Sequence, residues 1–328
     1  MPPTRTEIID NLFTTTWRNV KRSVVDQAYQ ITPLFNMLFE SGRIKEEETG
    51  GRFIDIPVRI AKSDANIKWF GRGDTFGVSD NEFLTQITYP MRYLGDSMVR
   101  YWMDDQKNRG KAKLLSYVDE KIDNHKASLI DTLETSAFTT DASGIGMNSL
   151  DALVSTTPTT GNVAGLSRVT YPWLRNSAVD ASAFTVATDL IPAMRTLLNS
   201  LSKFKSGTRR SPDVIITTQD VYEQLEEILE SMQMIVTHDS PSASLGFGDI
   251  SYKKVPIYWS PACPEGRMYV LNTEHLRYTV DSFAYFDMGE WKEMINSRDR
   301  VTQILTCCQF TCDNFQKQGV IYDIPVQS

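Results

Sequence analysis

The sequence predicts an α+β chain in which helices and strands occupy separate stretches rather than alternating in a doubly wound sheet. Three observations predict it. Two alternating segments flank a polar, Gly-rich stretch. Ile54, Ile56, Val58 and Ile60 share one face of the first, and Ile87, Tyr89, Met91 and Tyr93 share one face of the second. Alternation of this kind is the mark of a half-buried strand. After Gly110, apolar residues recur at Leu115, Val118, Ile122, Leu129 and Leu133, the steps of a one-sided helix. Short β-branched runs then crowd the last third of the chain.

Residues 1–45 read as an arm, extended or partly helical, with weak helical character over Thr6–Leu12 and Asn19–Ala28. A proline disfavours helix in the residue before it, so Thr32-Pro33 breaks the chain and restarts it. Pro33–Phe39 is a short apolar helix closed by Gly42. The paired alternating segments form a long hairpin with its tip between Ala61 and Glu82. An isolated hairpin is poorly stable in water. This one reads as too long to fold back on its own core, so neighbouring copies of the chain are expected to complete its surface. That makes an assembly protein the first reading. Asp104 and Asp105 sit where a helix N-terminus favours negative charge. From Asp105 to Phe138 a helix would span about 50 Å, and Gly110 is a soft spot after which it begins properly.

Thr139–Gly165 is rich in Ser, Thr, Gly and Asn and reads as loop around an ordered island, Ser149–Val154. A second folding unit begins near Ala181. It holds helices at Ile191–Leu201 and Gln219–Val236 and a buried strand at Asp213–Thr217. Short strands follow at Ser251–Val255, Ile257–Ser260, Met268–Leu271 and Leu276–Thr279, and longer ones at Val301–Phe310 and Gln318–Ile324.

The chain has 328 residues, enough for one large or two ordinary domains. Its 34 basic and 41 acidic residues give a net charge of −7, which argues against a dedicated nucleic-acid binder but not against loose contact with DNA. No signal-peptide pattern opens the sequence, and no apolar run reaches the length of a membrane span. Three of the four cysteines, Cys307, Cys308 and Cys312, crowd into one segment away from Cys263. That is no secreted disulfide framework, and a reducing cytoplasm is the expected place of folding.

Taken in order, several motifs resemble those of the major capsid proteins of tailed double-stranded DNA phages, whose fold is the Hong Kong 97-like fold. Gly51-Arg52-Phe53-Ile54-Asp55-Ile56-Pro57-Val58 is similar to the strand entering that family's E-loop. Lys107-Asn108-Arg109-Gly110 is similar to the turn before its spine helix. Gly144–Leu153 followed by Tyr171-Pro172-Trp173-Leu174-Arg175 resembles a paired motif of one capsid subgroup, with Leu174 where a second Trp is usual. Ser211–Thr217 resembles the strand entering the axial domain. Val255-Pro256-Ile257, Cys263-Pro264 and Met268–Asn272 follow in the family's order. So do Asn314, Gln316 and Gln318-Gly319-Val320.

The resemblance implies five parts. Residues 1–45 would be the N-terminal arm, 46–98 the E-loop, 99–176 a peripheral domain with the spine helix, 177–275 the axial domain, and 276–328 the strands returning to the peripheral domain. It implies hexamers and pentamers of one chain in an icosahedral shell around double-stranded DNA. Portal and scaffolding partners, and decoration proteins, belong to the same expectation, with the virion as location and the host bacterial cytoplasm as the place of assembly. An encapsulin-type compartment or a gene-transfer particle shares the fold, since fold does not fix function. A hydrolase built on the loop around His238 is the alternative of another class.

Candidate sites divide accordingly. At the hairpin tip, Trp69, Phe70 and Phe76 are aromatic residues in an otherwise polar turn. With Lys68 and Arg72 they are candidates for contact between subunits. Arg18, Lys21 and Arg22 are candidates for an interior or DNA-facing surface, against the plainer reading of a solvated helix face. Lys203, Lys205, Arg209 and Arg210 read as a solvated loop. His125 lies mid-helix near Asp123 and Lys126, with no ordered partner apparent from the sequence. His238-Asp239-Ser240 holds the letters of a catalytic triad, but triads are assembled from separated elements. The cysteines lack the paired spacing of a structural zinc site and read as buried thiols. Gly71, Gly73 and Gly77 lack the context of a phosphate loop. Lys62 or Lys68 could serve the lysine–asparagine crosslink of some relatives, and no crosslink is expected here. No catalytic residue, cofactor or metal is expected.

Overall fold

The computed structural model describes residues 7, 9–17, 20, 33–40, 42, 44–47, 51–60, 67–75, 83–107, 111–141, 143–202, 212–231, 250–295 and 297–325. The first element is a helix over residues 9–17 (α1). It buries Ile9, Phe13 and Trp17, one face of a helical repeat. Helix α2, Pro33–Glu40, starts on a proline, whose missing N–H costs nothing in the first turn. Gly42 follows at φ +63°, a conformation suited to a residue without Cβ. Strand β1 is Ile44–Glu47, and β2, Phe53–Arg59, pairs antiparallel with β3, Leu84–Pro90.

This hairpin is not free along its length. Ile54, Ile87 and Tyr89 are buried in the chain's own core, and Ile56 and Val58 pack against it. The expectation that the arm is too long to lie on its own core therefore fails for β2 and β3. Their apolar face is covered from within the subunit, and the residues beyond, 67–75, are the exposed ones.

At Met91 the chain leaves the hairpin. Strand β4, Arg92–Arg100, joins a different sheet. The crossing reverses the faces. Ile87, Tyr89 and Met91 are buried, yet Tyr93, predicted on the same face, is 71% exposed while Met98 and Arg100 point inward. Alternation survives only while the chain stays in one sheet, since a one-residue slip exchanges the faces.

Helix α3, Trp102–Lys107, is separate from α4, Lys111–Phe138, as the soft spot at Gly110 predicts. Over 28 residues α4 runs about 42 Å. Its Val118, Ile122, Leu129 and Leu133 face α1 and the six-stranded sheet in one cluster. The island is a single turn, α5, Leu150–Leu153, whose N-cap Ser149 accepts a hydrogen bond from the Ala152 N–H.

Two short strands, β5 (Asn162–Val163) and β6 (Leu166–Ser167), and β7, Ser177–Asp180, precede helix α6, Val186–Leu201. Then come β8 (Val214–Thr217), α7 (Gln219–Ser231), β9 (Ser251–Tyr252), β10 (Val255–Trp259) and β11 (Met268–Leu271). The last strands are β12 (Leu276–Asp281), β13 (Asp287–Met288), β14 (Lys292–Glu293), β15 (Arg300–Cys312) and β16 (Gly319–Tyr322).

Two six-stranded sheets organise these elements. In one, the order is β7-β16-β11-β8-β10-β9, with α6 and α7 packed on it. A Cβ on Gly319 would meet Leu201 and Leu197 of α6 at 2.9 and 3.0 Å, so that glycine lets helix and sheet approach. In the other, β15 is the hub. It pairs with β4 from Arg300↔Arg100 to Cys308↔Arg92, and successive stretches of it pair with β14, β13 and β12. Strand β1 adds parallel to β12, so residues from the start of the chain complete a sheet built from its end. From Thr306 to Cys312 β15 is buried on both faces, with Cys307, Cys308, Phe310 and Cys312 in the main core.

Candidate assembly surface

At the tip, a turn closes between Gly71 and Asp74. The Asp74 carboxylate accepts the Gly71 N–H at 2.8 Å, and Gly73 adopts φ +96°. This turn presents Lys68, Trp69, Phe70 and Arg72 to solvent. Trp69 is 101% exposed and Phe70 65%. Ile67, 77% exposed, joins them, and at the outer end of β3 Phe83 and Leu84 are exposed too. Such a run of large apolar side chains on one projecting loop marks a contact surface. Phe76 lies outside the described residues, as do Arg18, Lys21, Arg22, the basic loop from Lys203 to Arg210, His238 and Ser240.

A second exposed apolar surface escaped the sequence reading. Tyr93 and Leu305 stand out from paired strands β4 and β15, and Tyr101, Trp102 and Met103 are exposed where β4 gives way to α3. The signal was the alternation of Arg92–Arg100 itself, legible only once its sheet is known. The Trp102 backbone N–H donates to Asp299 and the Arg298 guanidinium lies over its ring, which anchors that corner to the loop before β15.

The remaining candidates are structural. His125 has an ordered partner after all: Nδ1 lies 2.6 Å from an Asp96 carboxylate oxygen on β4, tying α4 to the sheet. His275 Nδ1 stands 2.6 Å from Asp313 in the same manner. All four cysteines are free and buried. Burial pushes the Cys263 thiol up to about 12 and Cys308 up to about 11. It raises Cys312 as well, so none of these is poised as a thiolate. Among the described residues no group of three His, Cys, Asp or Glu side chains could hold a metal. Nor is any helix among them long and apolar enough to cross a membrane.

The N-terminal helix is held by charge as well as packing. Asp10 bridges Arg100 of β4 and Arg300 of β15, and Trp17 Nε1–H donates to the Phe286 carbonyl at 3.4 Å. Within the body, Arg168 donates to the carbonyls of Ala152 and Leu153 at the end of α5, and Arg267 pairs with Asp151. The segment that carries the sequence motif is thus a junction between the hairpin, the core and the second sheet.

No family model and no curated protein matches the sequence. Solved structures do match. A chain of the cyanophage A-1(L) capsid asymmetric unit is 16% identical, with a TM-score of 0.64 over 92% of each chain. A capsid chain of Myoviridae phage XM1 is 10% identical, with a TM-score of 0.55 over 87% of this chain and 91% of that one. A chain of the holo-SrpI encapsulin complex from Synechococcus elongatus PCC 7942 is 10% identical, with a TM-score of 0.54 over 91% and 90%. At these identities the likeness is one of fold, and it extends nearly end to end. The chain has the Hong Kong 97-like α+β fold of tailed-phage capsid proteins.

Proposed function

We propose that the chain is a major capsid protein that assembles with copies of itself, as hexamers and pentamers, into an icosahedral shell enclosing double-stranded DNA. The observation that carries the reading is the projecting tip, where Ile67, Trp69 and Phe70 lie open on a fold otherwise well packed. A single subunit gains nothing from such side chains, and a neighbour's surface gains much. The likeness to phage shell chains over nearly their full length supports the same conclusion.

In this reading residues 1–45 are the N-terminal arm, 46–98 the E-loop and 99–176 the peripheral domain. Residues 177–275 are the axial domain, and 276–328 return to the peripheral sheet. The role is structural rather than catalytic. Lys68, Trp69, Phe70, Arg72 and Phe76 contact neighbouring subunits, and Arg18, Lys21 and Arg22 face the interior. The acidic balance of the chain suits loose enclosure of DNA that must later leave. Portal and scaffolding proteins, and decoration proteins in some states, complete the particle, which is built in the host bacterial cytoplasm and forms the virion head.

The chain should be expressed alone and with its scaffolding partner, then examined by light scattering and electron microscopy. Capsomers or megadalton shells are expected, and a stable monomer under every condition overturns the proposal. The encapsulin likeness supplies a second reading, a compartment loaded with protein. Particles purified from their native source separate the two, because nuclease-protected DNA belongs to the first and a stoichiometric protein cargo to the second.

A further inference from the structure

A cleft of about 250 Å³ opens between the outer half of β2 and the loops around residues 273–275 and 313–317. Its wall includes Arg59, Trp173, His275, Asp313, Asn314 and Gln316. Two polar atoms in this wall are buried without a hydrogen-bond partner: Trp173 Nε1 and His275 Nε2. Unmatched polar atoms of this kind are uncommon in folded proteins, and two around one opening need an explanation. The space is several times the volume of a water molecule, so the opening has room for a side chain.

The chemistry of the wall selects the ligand. Trp173 Nε1–H can only donate. Asn314 and Gln316 supply amide N–H groups, and the exposed Arg59 guanidinium has no ion-pair partner among the described residues. The cleft's single carboxylate, Asp313, is already engaged. It accepts the His275 Nδ1–H, and Arg277 lies 3.7 Å from its other oxygen. With Asp313 satisfied, the wall is rich in donors and holds one uncommitted cation. A carboxylate placed there would also favour the doubly protonated His275 ring, giving Nε2–H an acceptor.

We propose that this cleft is a carboxylate-binding site, filled in the shell by an Asp or Glu side chain of a neighbouring copy. The inference rests on the capsid reading and names the chemistry of one of its contacts. Two facts favour a neighbour as the source. Strand β2, which forms one wall, is the strand that carries the chain out to the exposed tip. The chain's acidic residues outnumber its basic ones, 41 to 34, so a neighbour's surface offers carboxylates in excess. The cleft therefore seats an incoming charge at the root of the arm, where the tip's apolar contact begins.

The test is a map of the assembled shell at side-chain resolution together with two variants. Arg59→Gln removes the cation and Trp173→Phe removes one N–H while keeping the ring. The expected map places an Asp or Glu of an adjacent copy within hydrogen-bond distance of Arg59 and Trp173. Shells of each variant should dissociate at lower guanidinium concentration than wild type. The double variant should lose less than the two single losses combined, because both donors serve one carboxylate. The dissociated variant subunits should melt as wild type does, which separates a lost contact from a damaged fold. Shells that form normally with the cleft filled by solvent, by a non-acidic residue or by the subunit's own Asp64 or Glu82 overturn the inference while leaving the capsid reading intact. Additive losses, or variant shells as stable as wild type, also overturn it. Failure to form any particle overturns both.

Discussion

Truncating the tip aromatics separates folding from assembly. In the subunit, Trp69 is fully exposed and Phe70 is 65% exposed. Trp69→Ala therefore removes no apolar burial from the isolated chain, and Phe70→Ala removes about a third of what that ring can bury. Against a neighbour the figures reverse. Burying a large apolar side chain contributes about 1.5–3 kcal/mol. All of that is still to be gained at Trp69 and about two thirds of it at Phe70, so one arm stands to lose about 2.5–5 kcal/mol of contact in the double variant. At 1.4 kcal/mol per tenfold, this is roughly 60- to 4,000-fold in the affinity of one contact, repeated at every copy. Circular dichroism of the dissociated subunit should show a wild-type melt. Particle counts by electron microscopy and the melting of assembled shells should both fall. If the double variant gives wild-type particle yield and wild-type shell melting, the tip is not a contact and the reasoning from its exposure is wrong.

Three further outcomes follow from the interior. Tyr89 is fully buried, and its hydroxyl donates to the Cys312 carbonyl at 2.7 Å and accepts the Cys312 N–H at 3.3 Å. Tyr89→Phe should lower subunit stability in guanidinium unfolding by about 1–3 kcal/mol, and no change would mean that those backbone groups find other partners. Burial holds the Glu134 carboxyl above the usual glutamate range, partly opposed by the Ser260 hydroxyl. Its contribution to stability is then fully present below the unfolded glutamate pKa and is lost as pH rises through the raised folded value. Glu134→Gln should remove that decline, and parallel pH–stability curves for variant and wild type would contradict the assignment. Finally, the four thiols should be silent to a disulfide reagent at pH 8 in the native protein and should all titrate after denaturation. Zinc should be absent in stoichiometric amount; fast native labelling at Cys308, or zinc lost with Cys308→Ala, would refute the buried-thiol reading.

Much of the architecture was legible in the order of residues. Alternation at Ile54, Ile56 and Val58 and at Ile87 and Tyr89 marked the hairpin strands, because a strand's faces alternate residue by residue. The 3.6 repeat through Val118, Ile122, Leu129 and Leu133 marked α4, and the β-branched run before Thr217 marked β8. The aromatic tip was visible as apolar residues in a turn with no strand to hide them. These are local signals, and local geometry decides them.

What only the tertiary structure decided are the pairings between distant segments. That β15 takes β4 as a partner follows from backbone groups that are alike at every residue, so no side-chain pattern names the partner. The reversal of face at Tyr93 depends on that choice. So do the partners of His125 and His275, which come from 29 and 38 residues away. The same holds for the hairpin. Its strands announce an apolar face, but whether that face meets the chain's own core or a neighbour depends on which surfaces close over it. The core of the subunit covers β2 and β3, while the side chains of Ile67, Trp69 and Phe70 lie beyond its reach.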